Sequence, residues 1–425
     1  MSNLQTRVLA LVAVCCTALF MAQSAPAQTT ILKAAGYIDV VNGELIQPAN
    51  IVIEDSLIVA INPERLPVGT SIDLGSHILL PGLIDMHVHL TGSIAPNGQL
   101  RGVTETPAAA AFRAVKNAET TLLAGFTTVR NLGAPDFIDV ELAKFSARGE
   151  VVAPRIIPAA HSISTTGGHG DNGGYSPFAL EQADYRRGVA DGIDEVTRAV
   201  RYQIKNGAKV IKFTATAGVL SFEGPVGAQQ YSSREMAAIV EEASRHGIKV
   251  AAHAHGSDGI LAAVKAGVVS IEHGSILNQE IIDEMKLRGT YLVPTSYIAD
   301  SFDFDAVPPI MQEKGRMVIP LAQESLGLAI RQGVNIAFGT DAAVIPHGSN
   351  AGEFGAMVAQ GMSNAAAIRT ATVNAADLLG VNDRGRIAVG LLADIIAVDG
   401  NPLDDVEALS NVAFVMKGGR VYKQD

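Results

Sequence analysis

Between residues 81 and 382, short and nearly continuous apolar runs alternate with longer segments whose apolar positions recur every three or four residues. The runs at 83–90, 127–132, 155–163, 210–215, 250–255, 268–273, 290–294 and 335–340 are rich in β-branched residues. Parallel strands covered on both faces read this way. The segments at 108–123, 184–206, 233–246 and 259–266 carry the helical period, and Ser232-Ser-Arg-Glu235 supplies a capping box for one of them. Gly125, Gly207, Gly247, Gly267, Gly289 and Gly333 stand where a helix hands over to the next strand. Eight strand–helix repeats predict an α/β fold, a closed (β/α)8 TIM barrel. A doubly wound open sheet is the competing arrangement, but no Gly-x-Gly-x-x-Gly turn follows the first strand.

The two chain ends follow another pattern. Short strands are predicted at 31–37, 50–54, 57–61 and 71–74, interrupted by Asn42-Gly43, Pro63 and Pro67. Strands at 394–398, 412–417 and 420–422 mirror them, with Gly418-Gly419 as a hairpin turn. The ends are therefore expected to meet as one small β-sandwich, 28–80 plus 384–425, beside a barrel domain over 81–383. Residues 1–27 read as a secretory signal: Arg7, an apolar stretch at 8–21 too short to span a bilayer, and a small-residue cleavage site at Ala25-Pro-Ala27. An N-terminal anchor is the alternative. Export predicts a periplasmic or secreted protein with no membrane attachment after cleavage. It also removes Cys15 and Cys16, the only two cysteines in the sequence.

Composition narrows the class. With 48% hydrophobic residues, 42 glycines and no tryptophan in 425 residues, the chain is neither disordered nor fibrous. A net charge of −11 argues against nucleic acid or an anionic membrane as partner.

In a barrel of this kind, reactive groups stand at the C-terminal ends of the strands. The first predicted strand places His87 and His89 there, the fourth Lys212, the fifth His253 and His255, the sixth His273 and the eighth Asp341. Residues i and i+2 of a strand share a face, so His87 and His89 can reach one ion; a helix would set them about 200° apart. Histidines with purely structural roles would scatter among loops and helices instead. Imidazole and carboxylate are the donors of a zinc-like ion. A lysine among them is anomalous as an ammonium. It makes sense if CO₂ carbamylates the amine to an anionic carboxylate that bridges two divalent ions; an ordinary salt bridge is the other reading. In the bridged scheme His87, His89 and Asp341 hold one ion, His253 and His273 the other, and Lys212 spans both. Lys209 falls on the opposite face by period-2 counting.

Taken together, Pro81-Gly-Leu-Ile-Asp-Met-His-Val-His89, Ile211-Lys212, His253-Ala-His255, Ile271-Glu-His-Gly274, Gly339-Thr-Asp341 and the tail Gly385-Arg-Ile-Ala-Val-Gly-Leu-Leu-Ala-Asp394 resemble the amidohydrolase superfamily over nearly the whole chain. Thr165-Thr-Gly-Gly-His169 is similar to a loop of its imidazolonepropionase-like branch. That branch holds Xaa-Pro and Xaa-Arg/Lys dipeptidases and carboxypeptidase-like enzymes that hydrolyse ochratoxin A. The resemblance assigns His253 to metal and His255 to a supporting or substrate-binding place. Because mononuclear deaminases lack the strand-4 lysine, it also favours two-metal amide hydrolysis and zinc as the metal. It further implies a homo-oligomer.

Substrate contacts are less determined. His161 and His169 are candidates for a substrate carbonyl or carboxylate, or are loop and core histidines. Tyr231 is a candidate oxyanion donor or a packing residue. Arg130 pairs either with a substrate carboxylate or with a barrel acid, and His347 is placed to edge the pocket. Loops 93–101 and 218–230 are expected to line or cover the site. The expected activity is hydrolysis of a dipeptide or N-acyl amino acid by a metal-bridged hydroxide, with Asp341 moving the proton. The rivals are a cyclic-amide or lactone hydrolase on the same site, and an inactive periplasmic binding protein.

Overall fold

The computed structural model describes residues 29–425 apart from 96, 97, 172 and 177, so the expected leader lies outside the described residues. Seven strands precede the middle segment: β1 Thr29–Ala34, β2 Gly36–Asp39, β3 Glu44–Ile46, β4 Ala49–Glu54, β5 Leu57–Ile61, β6 Thr70–Asp73 and β7 Ile78–Pro81. Seven more follow in the middle: β8 Leu83–Val88, β9 Phe126–Asn131, β10 Arg155–Pro158, β11 Val210–Thr214, β12 Lys249–Ala254, β13 Ser270–His273 and β14 Tyr291–Val293. β15 Ile395–Val398, β16 Val412–Lys417 and β17 Arg420–Gln424 end the chain.

The terminal strands form two sheets, ordered β5-β4-β1-β6 and β17-β16-β15-β7-β2-β3. They share a core of their own, in which Leu32, Ile51, Ile53 and Ile58 meet Ile395, Phe414 and Met416. The single strand expected at 31–37 is two strands, because the chain leaves β4 for β7 between Ala34 and Gly36. The β2–β3 hairpin around Asn42-Gly43 completes the larger sheet.

In the middle, β10-β9-β8 and β11-β12-β13-β14 are parallel ladders. Single bridges carry the pairing onward: Ile163 to Phe213, Leu292 to Ile336, and Val88 to Ala342. The eighth expected strand thus makes no ladder. Its backbone is still bonded on both sides, to Leu292 through Asn335 and Ala337 and to β8 through Phe338 and Asp341. All residues of β8, β9 and β11 are buried, as parallel strands beneath helices should be. Alternation sorts their side chains. Ile211 and Phe213 pack outward into the helix-covered core. Val210 packs inward with Leu132, Ala159 and Ala251, with Lys212 above it on the same face.

The six helix-to-strand glycines all take positive φ. Ser232 and Glu235 form the expected capping box. The helix expected at 184–206 is a 3-10 turn at Tyr185–Arg187, followed by a helix at Gly192–Lys205. The break falls where Gly188 and Gly192 adopt positive φ. A long helix, Pro309–Gln332, follows β14 and roofs the site. Among the described residues, no helix is long and apolar enough to cross a membrane.

Candidate active site

One cavity of about 270 Å³ opens over the C-terminal ends of the parallel strands. His87, His89, Lys212, His253, His255, His273 and Asp341 all line it. His87, His89 and Asp341 form one trio of donors within 4.8 Å of one another, and His253, His255 and His273 form a second. The two trios adjoin: the rings of His87 and His273 lie 5.1 Å apart, and those of His253 and His273 4.7 Å apart.

Two of these residues leave the β-strand alternation. His273 follows Glu272 directly and Asp341 follows Thr340, so period 2 would send each to the opposite face from its neighbour. Both hold positive φ, 71° and 56°, and so turn into the cavity. Such left-handed backbone in a non-glycine residue costs of order 1–3 kcal/mol and persists where the surroundings impose it.

Neighbours fix the imidazoles. Nδ1 of His89 faces the Gly133 carbonyl at 3.1 Å, Nδ1 of His273 the Thr295 hydroxyl at 2.8 Å, and Nδ1 of His255 the Ser275 hydroxyl at 2.7 Å. Such outer contacts orient metal-binding imidazoles. Nε2 of His253 is buried with no hydrogen-bond partner. Nε2 of His87 and of His89 lie 3.5 and 3.4 Å from Asp341 Oδ1. A cation held at about 2.0–2.1 Å by tetrahedral donors would set those donors about 3.3 Å apart, close to these spacings. Burial pushes the pKa of His87, His253 and His273 well down, reinforced by neighbouring imidazoles and Lys212. It pushes His255 down to about 3. Neutral imidazole is the form that ligates, so the donor set fits metal ions. Lys212 is 3% exposed, and burial lowers its ammonium to about 8 against the opposing charges of Glu272 and Asp341.

A second polar layer supports the first. Asp85 accepts from the backbone of His87 and Thr340, from the Thr340 hydroxyl at 2.6 Å and from Asn350 at 2.7 Å, tying β8 to the Asp341 segment. Burial outweighs these bonds and raises its carboxyl to about 6. Glu272 Oε2 stands 2.9 Å from His87 Nδ1, although the pair is not aligned as a full hydrogen bond.

The sequence profile of the Amidohydrolase family matches residues 78–422. The chain belongs to the amidohydrolase family. Ochratoxinase of Aspergillus niger is 34% identical to it over 432 residues, covering 95% of this chain and 89% of that protein. The crystal structure of a Xaa-Pro dipeptidase with bound methionine in its active site superposes with a TM-score of 0.88 at 38% identity, over 93% of this chain and all of that one. A prolidase complexed with N-methylphosphonate-L-proline gives 0.85 at 33% identity, over 94% of this chain and 100% of that one. These relatives carry a TIM-barrel-like α/β fold, and this amidohydrolase shares it. It is a hydrolase of amide or peptide bonds in a family that is generally metal-dependent, and its two trios are groups able to hold metal.

Three residues expected to meet substrate in this amidohydrolase are engaged elsewhere. The Arg130 guanidinium is 2% exposed. It donates to Met86 O at 2.6 Å, to Ser270 Oγ at 3.0 Å and to Glu272 Oε1 at 2.8 Å. It therefore pairs with the buried acid Glu272 and is not among the residues that line the cavity. Tyr231 is buried, packs on Phe213, does not line the cavity and commits its hydroxyl proton to Ala190 O at 2.9 Å. His161 stands outside the inner cavity, with Nδ1 on Gln203 and Nε2 accepting from Asp136 N. It borders a wider adjoining cavity of about 900 Å³ with Ser93 and Arg101 of the first predicted loop. His347 packs behind the site against Gly92 O. His169 lines the inner cavity and stacks on His253 at 4.1 Å.

The sequence gives no role to Glu272, Asp85 or Asn350. Glu272 was within view beside His273, but period-2 counting separates the two. Val219 and Leu220 of the expected 218–230 loop make the outer wall of the cavity apolar together with Phe302, Val318 and Ile319, which the sequence leaves unassigned.

Proposed function

We propose that this chain is an exported two-metal amidohydrolase that cleaves the amide bond of dipeptides or N-acyl amino acids carrying a free α-carboxylate. One observation carries the reading: Lys212, a buried lysine with no hydrogen bond among the described residues, shares one cavity with both trios of metal-type donors. Only a neutral amine reacts with CO₂, and burial that brings Lys212 to about 8 leaves such a fraction near neutrality. As its carbamate, Lys212 joins His87, His89 and Asp341 on one side and His253 and His273 on the other. His255 stands stacked at 4.9 Å on His273 and is either a further ligand or a substrate contact.

Two zinc ions, when bound, polarise the scissile carbonyl and acidify the attacking water. Asp341 accepts the proton of that water and returns it to the departing amine. Lys212 is the only lysine or arginine among the described residues that line the inner cavity. His169 and His255 are the further imidazoles of that cavity and are placed to meet the substrate's polar groups. The apolar outer wall suits an aromatic or aliphatic acyl group, and the likeness to ochratoxinase supports ochratoxin A as one substrate.

The proposal extends to architecture. The pairings from β8 round to the Asp341 segment support a closed (β/α)8 barrel over 81–383. The separate core of the terminal strands supports a β-sandwich of 28–80 plus 384–425. Export after cleavage of 1–27, and assembly as a homo-oligomer, belong to the same reading.

The test is metal analysis of the purified protein with a panel of dipeptides, N-acyl amino acids, cyclic amides and lactones. About two metal ions per chain, with turnover of the open-chain amides, is expected. Turnover of lactones or cyclic amides alone would reassign the substrate. A folded protein that stays inactive after reconstitution with zinc would be a binding protein.

A further inference from the structure

The walls of the inner cavity are joined by a charged network that the chemistry above does not use. His169 Nδ1 lies 2.7 Å from Ser221 Oγ. Ser221 in turn donates to Glu223 Oε1 at 2.5 Å. A serine hydroxyl has one proton, and here it is committed to the carboxylate. Ser221 Oγ must then accept, so His169 carries its proton on Nδ1. The rest of the ring is held as tightly. One face stacks on His253, and a Cβ at Gly218 would collide with Cε1, Nδ1 and Nε2. The Gly218 N–H also donates to Glu223 Oε1 at 3.2 Å. Burial opposes the charge on Glu223, but its bonds to His169 and Ser221 prevail and hold the carboxyl down to about 2.

The loop that bears Ser221 and Glu223 is itself clamped. Lys314, buried on the Pro309–Gln332 helix, donates to Glu223 O at 2.5 Å, Ser221 O at 2.9 Å and Gly218 O at 3.5 Å. Between those anchors Val219 and Leu220 face the cavity, opposite Gly315, Val318 and Ile319 of the same helix.

We propose that Glu223 is a positioning residue that acts through Ser221 to fix the tautomer and direction of the His169 ring, and that Lys314 clamps this loop so that the apolar wall and His169 are set together. The substrate side of this inference rests on the reading of His169 as a substrate contact. Its geometry does not. Glu223 and Lys314 touch no reacting atom. They define which acyl groups fit, by holding Val219 and Leu220 at a fixed distance from the Pro309–Gln332 helix.

The test combines a ring readout with a double-mutant cycle on zinc-loaded protein. In ¹⁵N-histidine-labelled wild type, long-range ¹H–¹⁵N spectra should show His169 with its proton on Nδ1, and both E223Q and S221A should move that signal. Ser221→Thr, which keeps the hydroxyl, should restore it. In turnover, E223Q is expected to lower kcat/KM about tenfold in the wild-type background and to change nothing further in a His169→Gln background, since groups acting as one unit are not additive. Lys314→Met should raise KM several-fold for amides with bulky acyl groups and less for acetyl substrates. A His169 signal indifferent to E223Q and S221A overturns the positioning role, whatever the enzyme turns over. Full additivity in the cycle overturns it too. Equal KM changes for bulky and small acyl groups overturn the clamp. A wild type that hydrolyses no amide instead removes the proposed substrate class, and the ring spectra still decide the rest.

Discussion

Two polar layers lie one above the other among the parallel strands, and they treat their hydrogen bonds in opposite ways. In the upper layer, His253 Nε2 is buried without a partner, Lys212 makes no hydrogen bond among the described residues, and Asp341 faces two imidazole nitrogens at 3.4 and 3.5 Å. In the lower layer, Arg130 spends its donors on Met86, Ser270 and Glu272, and Asp85 accepts four bonds. Unsatisfied buried polar groups cost about 1–3 kcal/mol each. A fold keeps a cluster of them only where something else completes them. The lower layer is structure; the upper layer keeps donor groups that could hold metal.

The contrast is broken most sharply at Lys212. Lys212→Ala should abolish turnover and lower bound metal, with partial rescue by short carboxylic acids that stand in for the carbamate. In metal-free protein the same change should leave the unfolding midpoint unchanged or raise it, because it removes an ammonium whose burial is unfavourable. Unchanged turnover would dismiss the bridging role. A large fall in the midpoint would place Lys212 with the structural layer.

Arg130 should behave in the reverse sense. Arg130→Met leaves Glu272 as an unpaired buried carboxylate, at a cost of about 3–5 kcal/mol. Denaturant unfolding of the metal-free protein reads this directly. A variant with unaltered stability and a raised KM for anionic substrates would return Arg130 to the substrate.

These two residues also show what the sequence could and could not disclose. The strand–helix alternation, the glycine handovers and the paired β-rich ends were legible, because periodicity and turn chemistry are local properties. His87, His89 and Lys212 were legible as well, since period 2 and strand-end position suffice to bring them to one mouth. Depth along a strand was not. Arg130 near the end of a strand and Tyr231 just before a helix both stand where a site is possible, yet their donors end on Glu272 and on Ala190. Only the three-dimensional packing records that. Glu272 escaped because the positive φ of His273 breaks the alternation on which the count relied. The apolar roof escaped because the Pro309–Gln332 helix meets the 218–223 loop across nearly a hundred residues of intervening chain.

Glu272 stands between the layers, with one oxygen on Arg130 and the other beside His87. If it orients His87 for a metal, Glu272→Gln should weaken metal affinity about 10- to 100-fold, the range seen for outer partners of ligating histidines. Competition with a chelator measures it. An unchanged affinity would confine Glu272 to its pairing with Arg130.

Tyr231 offers the smallest effect and separates the layers at their boundary. Its hydroxyl bonds a backbone carbonyl, so Tyr231→Phe should cost about 0.5–1.5 kcal/mol of stability and leave kcat alone. An oxyanion donor would behave otherwise: its loss lowers kcat about 10²- to 10³-fold with little change in stability. The two outcomes differ in kind as well as size, so one thermal melt and one steady-state assay decide between them. A fall in kcat would mean that the hydroxyl exchanges Ala190 for the substrate during turnover. The division between spent and available donors would then hold only for the resting protein.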